Sequence, residues 1–327
     1  QFISKSSSLI FASLNNNNSD VKYSHLLKSG EKLPKGAFLC KHIKFTKEID
    51  AIFKFSSKGD HLKIIKPSSC QRIDFINIKR IFIRWRFLRP NALEFYLKDG
   101  DSVLVDFTPI DANTVLSKFT TFNPQLVQTV SPQEFFDTTD FKKQWSEGHL
   151  SNFDYLMILN IFSGRTFNDP AMYPIFPWVL SNYTDPKKIQ YRDLSRPIAV
   201  QNKEQMIIYF LSPSTPMLLS YFLSRVEPYA SIPQKLKIKK LQLSDQPFKS
   251  MQATYEMATS EKIKNCWELT PEFYSAPHFF GKKLKSKDKL MNMYDGKAET
   301  QFELPSWSST EEEFIYLHRR ELESPYV

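Results

Sequence analysis

Six histidines, three cysteines and a run of three glutamates are the residues of this 327-residue chain with the plainest capacity for chemistry. Metal binding and acid–base work need such groups at short spacings, so that one helix face or hairpin brings several within reach of one atom. His25, His42, His61, His149, His278 and His318 are scattered without ligand spacing, and each reads as a surface or packing residue. Cys40, Cys70 and Cys266 lie far apart with no C-x-x-C pair, which argues against a zinc site or a disulfide framework and favours a reducing cytosol. Glu311 to Glu313 follow Thr310 at the start of a helical stretch, with His318, Arg319 and Arg320 toward its other end, an order that complements the helix dipole. Nucleophile-elbow, zincin, P-loop and dinucleotide-binding patterns are missing from the sequence. The reading is of a protein that is not an enzyme, with no catalytic, cofactor-binding or metal-binding residues.

Binding offers better candidates. Arg165, Asn168 and Asp169 form the most polar cluster of an apolar stretch that also holds Trp178. They either line a peptide groove or satisfy the backbone around them and cap nearby helices, and the second role is favoured. Arg192 with Asp193, and Arg225 with Glu227, are expected to form buried ion pairs that serve folding. Arg84 and Arg86 share one face of an alternating segment opposite Trp85, with Arg89 close by. Lys41, Lys44 and Lys47 make an earlier region basic without a tight cluster, and are the candidates for facing lipid. The net charge of +9 permits attraction to nucleic acid or to an anionic leaflet and specifies neither. Nucleic acid is set aside, because the aromatics fall at core periods rather than interleaving with exposed basic residues. The lysine-rich runs 235–240 and 282–289 read as solvated loops.

The elements that would position these residues fall into two groups. Residues 1–30, rich in Ser and Asn, read as a flexible lead-in. Within 31–123, Ile81, Ile83, Trp85 and Phe87 alternate with Phe82, Arg84 and Arg86, which is the period of a strand. Leu93, Phe95 and Leu97 repeat it, Asp99-Gly100 supplies a hairpin turn, Val103 to Phe107 return, and Asp111 to Phe122 make one helix. Residues 124–143 form a polar, proline-punctuated linker. From 144 to 327 helical signals dominate. Ser151-x-x-Asp154 opens a helix through Phe162 that is apolar nearly all round and is expected to be buried. Thr215-Pro216 starts another, and Phe248, Met251, Tyr255 and Ala258 keep helical spacing. Between these lies Asn168 to Tyr183, with Pro170, Pro174 and Pro177 among Tyr173, Phe176, Trp178 and Tyr183. Prolines forbid a regular helix there and the aromatics demand burial, so an extended ribbon must cross a core and find partners for its peptide groups.

That ribbon also carries a resemblance. Ser151-Asn-Phe-Asp-Tyr-Leu-Met, Ser163-Gly-Arg-Thr-Phe-Asn-Asp-Pro and Tyr173-Pro-Ile-Phe-Pro-Trp-Val-Leu closely resemble the signature of BEACH domains. Tyr191-Arg-Asp-Leu-Ser-Arg-Pro-Ile, Glu268-Leu-Thr-Pro-Glu-Phe-Tyr, Leu304-Pro-Ser-Trp and His318-Arg-Arg-Glu-Leu-Glu-Ser continue it. Upstream, Trp85-Arg-Phe-Leu-Arg-Pro-Asn-Ala-Leu-Glu-Phe resembles the PH-like module that precedes BEACH domains. The sequence departs from the family pattern at Ser212-Pro-Ser-Thr and at Leu243 to Phe248.

The resemblance implies an α+β multidomain fold: a PH-like β-barrel with a C-terminal helix, then a mainly α-helical BEACH domain with extended core segments. It implies a truncated stretch of a divergent member, since the family continues into further helices and a propeller of WD repeats. The implied function is a non-catalytic scaffold, without cofactor, in vesicle traffic, lysosome-related organelles, autophagy or receptor sorting. Protein partners would bind a groove between the two modules, near Arg84, Trp85, Arg86, Arg165, Asn168, Asp169 and Trp178. The implied location is cytoplasmic, with peripheral contact to endomembranes, and the rival reading is an anionic-lipid or phosphoinositide module.

Overall fold

The computed structural model describes residues 26, 32–45, 47–127, 132–185, 189–198, 201, 215–223, 248, 250–259, 267–277, 290, 291, 298, 299 and 302–327. The chain divides into two compact units, Gln1–Phe135 and Phe136–Val327. Arg225 with Glu227, both lysine-rich runs, most of the lead-in and most of the two departing stretches lie outside the described residues.

The first unit is a seven-stranded antiparallel sheet in the order β4-β3-β2-β1-β7-β6-β5. Its strands are β1 Ala37–Lys44, β2 Lys47–Phe55, β3 His61–Lys66, β4 Ser69–Asp74, β5 Ile78–Arg86, β6 Arg89–Leu97 and β7 Ser102–Asp106. Alternation aims Phe53, Ile64, Ile81, Phe95 and Val105 at one core, each essentially without exposure. Helix α1, Pro109–Phe122, packs Ala112, Val115 and Phe119 onto the same core. Thr108 caps it by accepting from the Asp111 amide, and Pro109 fits the first turn, where an amide hydrogen is not needed.

The β6–β7 turn is the expected one, with Gly100 at φ 92°. The β5–β6 turn is not of the usual composition. Arg86 pairs with Arg89, so Phe87 and Leu88 alone make the turn, at φ 47° and 62°. Both central positions are left-handed, as in the type I′ turn that favours Asn-Gly. Bulky side chains held there cost of order 1 kcal/mol or more each.

In the second unit the described helices are α2 Pro132–Asp137, which straddles the division, α3 Phe141–Ser146, α4 Asn152–Phe162, α5 Thr215–Leu223, α6 Met251–Thr259 and α7 Glu311–Leu322. A two-stranded sheet joins Leu290–Met291 to Ala298–Glu299. A sheet followed by helices is an α+β arrangement. The stretch read as a polar linker is thus partly helical in α2 and α3. Phe136 and Phe141 explain this, since both rings pack against Phe162 of α4, one edge-on and one tilted.

Helix α4 departs from its expected burial. Most of its side chains are half-buried, and Asn160 is its one fully buried residue. An apolar surface all round does not require enclosure all round, and a half-covered helix exposes apolar atoms as most protein surfaces do.

Candidate functional site

The centre of the second unit is the ribbon. Trp178 and Val179 have no exposure, and Phe176 and Tyr183 have about 1 %. Three prolines remove amide donors, and many of the remaining peptide groups are served by other segments. Phe176 exchanges two hydrogen bonds with Leu269, each of 2.8 Å. The Ile175 amide donates to Asn160 Oδ1, whose Nδ2 donates back to the Ile175 carbonyl. The Tyr183 amide donates to Gln252 Oε1, and the Arg192 amide donates to the Val179 carbonyl.

Glu268 binds two of these elements at once. Its Oε2 accepts from the Trp178 amide at 3.0 Å and from Arg192 Nη1 at 2.7 Å. Arg192 is buried, as expected, but its partner is Glu268 rather than Asp193. Adjacent side chains of extended backbone point to opposite sides, so the exposed Asp193 instead accepts from Ser195.

Two of the three polar residues beside the ribbon, Arg165 and Asp169, spend atoms on local backbone, and Asn168 bonds to the Thr166 hydroxyl. Arg165 Nη1 donates to the Tyr173 carbonyl at 2.9 Å. Asp169 accepts from the Ala171 amide and so starts the 3₁₀ turn Pro170–Met172. The Asn168 amide donates to Thr166 Oγ1. Trp178 donates from Nε1 to the Trp267 carbonyl at 2.7 Å, fully inside the core. Arg165 and Asn168 remain half-buried, and Phe167 between them is exposed.

His318 is a packing residue, one of the two roles the sequence allowed it, and takes no part in the basic helix end. It follows Phe314 and precedes Leu322 by four residues, and all three face the core, each without exposure. Its imidazole lies 4.3 Å from the Tyr274 ring in a stack, faces the Phe273 carbonyl through Nδ1, and meets Tyr183 Oη through Nε2. Burial holds its pKa down at about 4, against a smaller upward pull from the Phe273 carbonyl. The basic residues of the last turn are Arg319 and Arg320 alone. Arg319 pairs with Glu323, whose carboxylate also accepts the Asn152 and Phe153 amides and so caps α4.

In the first unit part of the outward face of the sheet is also buried. Arg84 and Glu94, 3 % and 0 % exposed, pair at 2.6 Å, and Arg84 also donates to Tyr96. Arg86 is shared between Asp106 and Glu48, at 3.0 and 2.9 Å. Burial raises the Asp106 pKa against the pull of Arg86, while hydrogen bonds from Lys41 and Arg86 lower that of Glu48. Ile43, Ala92 and Leu104 form a small apolar cluster of their own. Trp85, on the opposite face, is 62 % exposed. Of the three lysines, Lys41 is paired with Glu48, and Lys44 and Lys47 are exposed beside the β1–β2 turn. The formal charge is as uneven as the architecture: residues 32–127 hold 17 Lys and Arg against 9 Asp and Glu, while 128–327 hold 24 of each.

Among the described residues no group of three His, Cys, Asp or Glu is placed to hold a metal ion. No described helix is long and apolar enough to cross a membrane.

Two family profiles match the chain: Beige/BEACH domain over residues 143–327, and PH domain associated with Beige/BEACH over 36–120. The mouse WD repeat- and FYVE domain-containing protein 4 is 31 % identical over 90 % of this chain and 10 % of its own length. A putative neurobeachin homolog of Caenorhabditis elegans is 31 % identical over 76 % of this chain and 11 % of its own. The chain thus spans about a tenth of the length of these relatives. A C-terminal domain of an unknown protein from Leishmania infantum aligns with 32 % of this chain and 96 % of its own at 14 % identity, with a TM-score of 0.24.

Proposed function

Because the chain belongs to the BEACH family and carries that family's PH module ahead of its BEACH module, we propose that it is a non-catalytic scaffold in membrane traffic that binds protein partners. The observation that carries this reading is the two modules matched in tandem on one chain. The whole protein would act in vesicle, lysosome-related organelle, autophagy or receptor-sorting steps, in the cytoplasm and at endomembrane surfaces. The modules would span about 31–123 and 144–327, with the second mainly helical. Partner contact falls to side chains with surface to offer, namely Arg165 and Asn168 with the exposed Phe167 between them. Trp178 would support such contacts from the core of the same unit, and Arg84 and Arg86 would serve the PH-like unit separately.

The test is affinity capture with the full chain against Arg165→Ala and Asn168→Ala, each first shown to unfold like the parent. Loss of specific partners in both variants is expected. An unchanged set of partners would remove this surface from the proposal.

A second reading, contact with anionic lipid, is favoured by the confinement of nearly all of the charge excess to the PH-like part. Lys44 and Lys47 would carry it, Lys41 being engaged by Glu48.

A further inference from the structure

The β5–β6 turn combines three properties that seldom meet. Phe87 and Leu88 are 77 % and 91 % exposed, both are left-handed, and they stand at the tip of a hairpin. Asparagine and glycine would satisfy this turn without strain and without exposed apolar surface. The Arg86 guanidinium, 4.9 Å from the centre of the Phe87 ring, explains part of that choice, but folding does not explain an apolar Leu88 that is 91 % exposed. Strained backbone that the surroundings hold in place is a reason to look for function.

Strand register shows what else lies at that end of the sheet. Lys41, Asp106 and Ala92 stand side by side on β1, β7 and β6. Strands β1 and β6 both run antiparallel to β7, hence parallel to each other. From that row β1 advances to its turn at Lys44 and Lys47, while β6 leads back to Arg89 and the Phe87–Leu88 turn. The two turns therefore leave opposite ends. Beyond Asp106, β7 leads toward the Phe87–Leu88 end, where the Phe107 amide donates to the Asn91 carbonyl and α1 begins. Ile110, in the first turn of α1, is 77 % exposed. Trp85, 62 % exposed, adjoins the tip. Arg89 flanks it, and the exposed Lys32 and Lys35 lie on the chain entering β1 from the same end.

We propose that this end of the PH-like unit is a membrane-contact face, with Phe87 and Leu88 entering the interface of an anionic bilayer, Trp85 and Ile110 beside them, and Arg89, Lys32 and Lys35 meeting headgroups. The exposed hairpin tip stands out into solvent, and a lipid interface closes around such a tip, whereas a protein could accept it only in a matching pocket. Apolar side chains with a basic surround, in the unit that holds nearly all of the charge excess, are the features that lipid interfaces reward. The inference rests on the lipid reading above but moves the contact to the opposite end of the sheet from Lys44 and Lys47.

The experiment is co-sedimentation of the full chain with phosphatidylcholine vesicles, with and without phosphatidylserine. Parent protein is compared with the double variant Phe87→Asn, Leu88→Gly and with Lys44→Glu, Lys47→Glu. The first variant installs the residues this turn prefers, so its unfolding midpoint should equal or exceed the parent's, and lost binding cannot be ascribed to misfolding. It should bind serine-containing vesicles on the order of tenfold more weakly or worse, because two apolar side chains leave the interface. Raised salt should weaken parent binding without abolishing it, since the apolar contact is not screened. Parent-like binding by the turn variant overturns the proposal, and if the lysine variant alone loses binding, the earlier lipid reading survives without it. No binding of the parent to either vesicle overturns both and leaves an acidic protein as the partner to seek.

Discussion

The two units bury most of their polar groups by different means, although the ribbon also holds one ion pair, Arg192 with Glu268. In the sheet, charge meets charge: Arg84 with Glu94, and Arg86 with Asp106 and Glu48. Around the ribbon, side chains serve backbone: Asn160 on Ile175, Gln252 on Tyr183, Arg165 on Tyr173, and Glu268 on Trp178. A regular sheet satisfies its own peptide groups, so its side chains are left to pair with one another. A ribbon broken by prolines cannot, and every buried peptide group must be met by a specific donor or acceptor brought from elsewhere. The first arrangement should tolerate changes made in pairs. The second should not.

The largest effect should come from Trp178→Ala. It empties a fully buried site and leaves the Trp267 carbonyl without its donor, for a loss of about 3–5 kcal/mol. Urea unfolding should show the second unit's transition moving down while the sheet's stays. Equal movement of both would mean that they unfold as one, and the contrast drawn above would not describe separate structures.

Next is the Arg84–Glu94 pair. Arg84→Met alone strands a buried carboxylate, at about 3 kcal/mol or more, whereas Arg84→Met with Glu94→Leu should return most of that loss. A double variant as unstable as the single one would show that this face, like the ribbon, depends on each group separately.

The smallest effect is pH dependence, and it should appear in both units. His318 and His42 each have a folded pKa of about 4 against 6.5 unfolded, in both cases chiefly through burial, with Lys66 and Lys44 adding to it at His42. The folded state favours the neutral ring, so the unfolded chain binds more protons between those values. Stability is then whole above about pH 6.5 and falls by up to about 3 kcal/mol per histidine as pH drops to 4. Unfolding free energies measured at steps from pH 7 to 4 check this. His318→Gln should flatten the slope of the second unit only, and a slope that survives the substitution assigns it to other groups.

Much of the sheet was legible because alternation repeats over neighbouring residues. Leu93, Phe95, Val103 and Val105 are buried where the pattern put them, and Gly100 turns where Asp-Gly announced a hairpin. The ribbon was legible too, since proline chemistry and aromatic burial are properties of residue type. What periodicity could not supply was partnership. Asp193 is adjacent to Arg192 in sequence, yet the carboxylate that meets the arginine is Glu268, 76 residues away.

His318 carries the same lesson in sharper form. Its neighbours Arg319 and Arg320 suggested a charged helix end, but the 100° step between successive helical residues put it inward with Phe314 and Leu322. Trp85 shows the converse, because a strand pattern with an apolar face left its outermost member in solvent. Sequence alone determined the later strands, most of the helices and the ribbon, since those follow from local spacing and backbone limits, but it missed the helical turns within 132–146. Which charge meets which, and which aromatic stays wet, was decided only by the tertiary structure, because both depend on segments that fold back from far along the chain.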